Sequence, residues 1–299
     1  MPPVLQVDSY FFLIFSYLIF SALTDFRYRR AYLAVSLPAM ALLVLRGLGM
    51  LPLLLAAVPA SILLLHYVPR LKRGREFIED ILVFSGLLSV ALLSSEKLIA
   101  LLLLLFFLVD ELVLRRFGPA IEGALYSLFL MSSSFIASGI VSWLLMGFGA
   151  AVLYSSRSMI GYEDVAHTVV LSLFAGTYFG GFSFFAILWI YECLVVPLAI
   201  LLHLFAIKRS DLARYGRIMA EMRAARREVL VYALASALFA LSIFLGKNLA
   251  LGFIAVLLLL PFAPRVHYGE RVALPRAALL LVSLLLWIGI SLVIGLTIP

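Results

Sequence analysis

Apolar runs long enough to form membrane-crossing helices, parted by short basic loops, constrain this chain more than any other feature. They fall near residues 9–24, 31–46, 49–68, 80–95, 97–113, 119–132, 135–154, 165–180, 182–207, 229–246, 249–263 and 277–298. A helix needs about 20 apolar residues to cross the hydrocarbon core, so the shorter runs must tilt, and 119–132 could be re-entrant instead. Pro38, Pro52, Pro59 and Pro197 fall inside these runs, which lipid-buried helices tolerate better than soluble ones. Residues are 65% hydrophobic and 13% charged, where globular domains carry about a quarter charged. The expected fold is all-α: a polytopic transmembrane helix bundle of about 9–12 spans, forming one integral membrane domain over 1–299.

The basic residues orient that bundle. No Lys or Arg precedes the first run, whereas Arg27, Arg29 and Arg30 follow it, which suits a retained helix with its N-terminus outside rather than a cleaved signal. Carried through the chain, this layout puts all 23 Lys and Arg residues on the inner side except Arg46, Lys97 and Lys247. That is the bias of the positive-inside rule, and it predicts a multi-pass protein of the cytoplasmic membrane. A net charge of +7 then reflects inner loops facing anionic lipid of the bilayer; no nucleic acid is expected as a partner. The longest loop, 208–228, is expected in the cytoplasm. Leu212, Tyr215, Ile218, Met219 and Met222 follow an amphipathic helical pattern, although a solvated connector fits the same stretch.

Familiar catalytic motifs are missing. The chain has no His-Glu-x-x-His and no Gly-rich loop ending in Gly-Lys-Ser/Thr, so zinc proteolysis and nucleotide hydrolysis lack their usual groups. His66, His167, His203 and His267 have no metal-ligand spacing. Ser132, Ser133, Ser134 and Ser138 have no base identifiable from sequence, and hydroxyl residues in membrane helices usually pack. The single Cys193 excludes an internal disulfide.

Carboxylates at the inner boundary remain: Asp25, Glu79, Asp80, Asp110, Glu111, Glu122, Glu163 and Asp164. Most carboxylates so placed pair with nearby Arg and Lys or end helices. The sharper reading is an aspartyl dyad, in which one carboxyl keeps a proton and polarises the scissile carbonyl while the other activates water.

Ala22-Leu23-Thr24-Asp25-Phe26-Arg27-Tyr28-Arg29-Arg30 resembles the first catalytic motif of the prepilin and archaeal preflagellin peptidases, an aspartate that closes the first helix before a basic run. Ser158-Met159-Ile160-Gly161-Tyr162-Glu163-Asp164 resembles their GxGD motif, and Arg271-Val272-Ala273-Leu274-Pro275-Arg276-Ala277 is similar to the proline-bearing entry to their last helix. The resemblance implies a dyad of Asp25 and Asp164, supported by Gly161, Glu163, Arg27 and Arg29, with no cofactor and no metal. It implies as substrates prepilin-like or preflagellin-like precursor proteins, cut between a basic leader and an apolar helix. The chain departs from the family pattern at Glu163, where glycine or a small or apolar residue is usual. It departs again at Ala166, where lysine is common, and at Ala31-Tyr32-Leu33, where Pro-Asn follows the first motif. Asp80, opening a run after the basic loop with Gly74, is the rival second aspartate. From another class, a transporter or an inactive relative would use the same carboxylates to handle protons or cations.

Overall fold

In the computed structural model the residues described are 9–28, 39–40, 42–44, 46, 86–113, 119–157, 162–224, 226–246, 249–259 and 275–294. Among them there is helix and no strand. In chain order the helices are α1 (Ser9–Tyr28), α2 (Lys97–Leu112), α3 (Pro119–Ser133), α4 (Gly139–Arg157), α5 (Tyr162–Phe179) and α6 (Gly181–Ile190). A π-helix (Tyr191–Val195) follows, then α7 (Val196–Ser210), α8 (Leu212–Ala224), α9 (Arg226–Phe244), α10 (Leu249–Leu259) and α11 (Arg276–Ile294). The runs expected at 31–46 and 49–68 lie wholly or largely outside the described residues; of the run at 80–95, residues 86–93 are helical.

Among the described residues two stretches are long and apolar enough to cross a membrane, Tyr10–Arg27 and Gly181–Ser210. At 1.5 Å per residue the 18 residues of the first reach about 27 Å, close to the ~30 Å hydrocarbon thickness. Lys97–Val109, Gly139–Leu153, Ala166–Phe179, Val231–Phe244 and Arg276–Ser291 are shorter apolar helices. Large apolar side chains stand exposed in stripes: Phe12, Phe20 and Leu23 on α1, and Leu198, Leu202 and Phe205 on α7. Such stripes suit lipid or another apolar partner better than water.

The chain divides into two compact units, one of Met1–Gln6, Leu18–Ala31 and Tyr178–Pro299, the other of Val7–Tyr17 and Tyr32–Thr177. The second unit is built on α4, which meets neighbours on opposite faces. A Cβ at Gly147 would come within 2.8 Å of Ser172 Cβ and 3.0 Å of the Val169 backbone, both on α5. A Cβ at Gly149, two residues and about 200° further round, would lie 3.1 Å from the Ser127 carbonyl and the Met131 amide of α3. Hydroxyls tie both contacts: Ser127 donates to the Gly149 carbonyl at 2.6 Å, and Ser172 to the Trp143 carbonyl at 2.9 Å. Small residues bring backbones close, and each serine fills a carbonyl lone pair that lipid could not.

The α3–α4 turn is held by its own hydroxyls and by Glu96, the residue before α2. Ser134 donates to Met131 O, Ser142 to Ser134 O, and the Glu96 carboxylate accepts from both the amide and the hydroxyl of Ser138. Ser134 and Ser138, weighed above as nucleophiles, therefore serve the turn.

In the first unit α6 forms the core. Apart from half-exposed Trp189 all its residues are buried, as expected of a helix that is apolar all round. Phe182 and Trp189 stack on Phe239 of α9, with centroids 5.4 and 4.8 Å away. Phe185 meets Phe253 of α10, and Phe182 meets Trp287 of α11. Gly180, at φ +79°, starts this helix, a left-handed turn that glycine makes without strain. The run then passes through the π-helix, where Val196 N–H bonds Tyr191 O, five residues back. Pro197 has no N–H to continue an α ladder, and the π-helix is the local adjustment before it.

Candidate functional site around Asp25

Asp25 sits one turn from the end of α1. Leu18, Ser21, Ala22 and Asp25 are all buried and recur at i, i+3, i+4 and i+7, so they form the packed face of this half of the helix. Leu23 and Phe26 lie exposed beside them. Thr24 is used within the helix, its hydroxyl donating to Phe20 O and Ser21 O. Arg27 occupies the last turn and is exposed, where a cation complements the helix dipole.

The buried carboxylate accepts a hydrogen bond from the backbone N–H of Ala277, 2.8 Å from Oδ2. Ala277 is the second residue of α11, whose first intrahelical bond runs from Leu279 N–H to Pro275 O. The opening N–H groups of any helix lack intrahelical acceptors, and Pro275 has no side-chain oxygen to supply one. Asp25 supplies it from α1, 252 residues away in sequence. A carboxylate at a helix N-terminus also faces the positive end of its dipole. Two segments picked out in the sequence, the first aspartate motif and the proline-bearing helix entry, thus meet.

A residue that the sequence reading passed over lies on the π-helix. Glu192 is 1% exposed within the 30-residue apolar stretch Gly181–Ser210. Its neighbour Cys193 places its sulfur 3.7 Å from the Ser236 hydroxyl of α9. Both α6 and the π-helix pack on α11. Phe182, near the start of α6, has its ring 6.1 Å from that of Trp287. Tyr191–Val195 lies about 13–20 Å further along, at 1.5 Å per residue. Beyond Trp287, α11 continues for only about 10 Å to Ile294, whereas about 16 Å of it leads back to Arg276. The two helices therefore run antiparallel, and the π-helix meets α11 over its first turns, the end at which Ala277 binds Asp25. A lone carboxyl inside an apolar run was the signal available; attention to carboxylates at helix ends missed it.

Glu163 and Asp164 fall in the first turn of α5. One turn on, His167 and Thr168 are buried, and the His167 ring tilts against that of Tyr17 at 6.3 Å. Asp25 belongs to the first unit and Asp164 to the second. Gly161, Arg29 and the rival Asp80 lie outside the described residues. Among the described residues no group of three or more His, Cys, Asp or Glu could hold a metal ion.

Compared with known proteins, the chain matches no family model, no curated protein and no solved structure.

Proposed function

We propose that this chain is a multi-pass aspartyl endopeptidase of the cytoplasmic membrane, N-terminus outside, that removes basic leaders from prepilin-like or preflagellin-like precursors. Asp25 and Asp164 are its dyad. The observation that carries the reading is the buried Asp25 carboxylate on the second amide of the helix that opens after Pro275, since both segments resemble the peptidase motifs. A backbone donor fixes one carboxylate oxygen and so orients the carboxyl for work on a water. Arg27 and the other basic residues after Asp25 anchor the inner end of α1, so hydrolysis occurs at the membrane's cytoplasmic edge. A precursor's apolar helix would lie along the exposed apolar stripes, its leader on the cytoplasmic side.

The test is cleavage of a precursor with a basic leader and an apolar helix by the purified protein. Asp25→Asn and Asp164→Asn should each abolish it, because an amide keeps the shape but neither activates water nor exchanges the shared proton. Asp80→Asn should retain most of the activity. Loss at Asp80 with retention at Asp164 would transfer the second role to Asp80.

Glu192 favours a second reading, a carrier of protons or cations. An ionisable group inside an apolar span is costly, roughly 2.5–3.5 kcal/mol at a helix centre, and is generally kept for function. Proton flux into vesicles that is lost in Glu192→Gln, together with no precursor cleavage by the intact chain, would establish this reading over the first.

A further inference from the structure

Glu192 has no part in the dyad described above, yet its position ties it to Asp25. The π-helix packs on α11, and the antiparallel course of the two helices brings it to the first turns of α11. Asp25 holds the second amide of those turns. Both carboxyls are more than nine-tenths buried. A π-helix often marks a functional site, since its extra residue re-aims the side chains around it.

We propose that Glu192 is a proton-positioning residue for Asp25, the two carboxyls holding a single negative charge between them at the entry to α11. When Asp25 takes up a proton, Glu192 gives one up, and the total charge of the pair is unchanged. Water activation at Asp25 needs the carboxylate: when Asp25 holds the pair's proton it passes it to Glu192, then takes the proton of the attacking water and returns that one to the leaving amine, so no exchange with bulk solvent is needed. The catalytic part of this inference rests on the peptidase reading, whereas the coupling of the two carboxyls does not.

Other titratable groups on the elements around the π-helix are Tyr191 and Cys193 on the π-helix itself, His203, Lys208 and Arg209 on α7, Arg226, Arg227, Glu228 and Tyr232 on α9, and Arg276 on α11; α6 carries none. Arg27 and Tyr28 follow Asp25 on its own helix. These groups are the same in wild type and in the variants below, so a difference between them reports on the pair.

The experiment uses dicyclohexylcarbodiimide, an apolar reagent that adds to protonated carboxyls in apolar surroundings, on the full-length protein in its membrane. Modification of Glu192 is mapped by mass spectrometry across a pH series. Wild type should be modified at Glu192, and the reaction should fade as pH rises. Asp25→Asn, whose amide oxygen can still accept from Ala277, removes the neighbouring charge and should move that midpoint at least about one pH unit lower. Reciprocally, Glu192→Gln should move the pH profile of Asp25 modification lower. Absence of Glu192 modification at every pH, or an unchanged midpoint in both variants, overturns the proposal. Should one variant fail to fold, the other decides. Coupled midpoints in a protein that cleaves no precursor keep the pair and sink the peptidase; cleavage with independent midpoints does the reverse.

Discussion

Asp25 completes the N-terminus of α11, and the proposed function adds a part in chemistry; single substitutions separate the two. Asp25→Leu leaves the Ala277 N–H buried without its acceptor, which costs about 1–3 kcal/mol. Asp25→Asn retains an oxygen in the same place. The leucine variant should therefore unfold at clearly lower temperature than wild type in detergent, while the asparagine variant stays close to wild type although it cleaves nothing. Equal destabilisation by both would mean that the charge, not the hydrogen bond, holds α11. The aspartate itself was legible in the sequence, because a carboxylate at the end of an apolar run before Arg27 and Arg29 stands out chemically. Its acceptor role was not legible, since nothing local to Asp25 indicates which distant amide it binds. Glu192 shows the opposite failing: the residue was plain in the sequence, but a search confined to helix ends ignored it.

At the level of elements, apolar runs translated into helices because burial and lipid demand the same residues at every turn. The run at 97–113 became α2 (Lys97–Leu112), and that at 277–298 became α11. The expected start at 165 moved back to Tyr162, as Glu163 and Asp164 suit a first turn. The stretch 119–132 is a continuous helix, and its 15 residues reach about 22 Å. The π-helix was beyond sequence reading: Pro197 announces a break, but whether a kink or a π-helix absorbs it depends on packing. Glycines give the element-level prediction. A Cβ at Gly176 would run into the Trp143 indole, whereas Gly289, inside α11, has no atom within 4 Å of that position. Gly176→Ala should lower stability by about 1–3 kcal/mol through overpacking. Gly289→Ala should raise it by about 0.5–1 kcal/mol, as helical alanine loses less entropy on folding. Thermal unfolding of the two variants side by side checks both signs.

For the whole molecule the charge distribution makes the most exposed claim. On a Cys193→Ser background, cysteines placed singly at Lys72 and Arg214 should react with an impermeant thiol reagent only from the cytoplasm, and at Lys97 only from outside. The reverse pattern would overturn the inward first helix and, with it, the common side assigned to Asp25 and Asp164. Arg214 is well suited to this test. It lies on α8, which follows the long apolar stretch ending at Ser210 and begins after Asp211, whose carboxylate accepts from the Arg214 amide at 2.9 Å. Lys208 sits over the Tyr215 ring at 5.6 Å, so an aromatic and a cation meet where the apolar run stops, as they do at membrane surfaces.

The bond between Asp25 and Ala277 also has a consequence in time. Chains are made from the N-terminus at roughly 5–20 residues per second, so the 252 residues between these two take about 10–50 s to appear. Throughout that interval α1 is already synthesised while its carboxylate waits for the amide that will hold it. A copy of the chain terminated before α11 never forms this bond, so under the proposed function Asp25 gains its backbone donor only when synthesis is nearly finished.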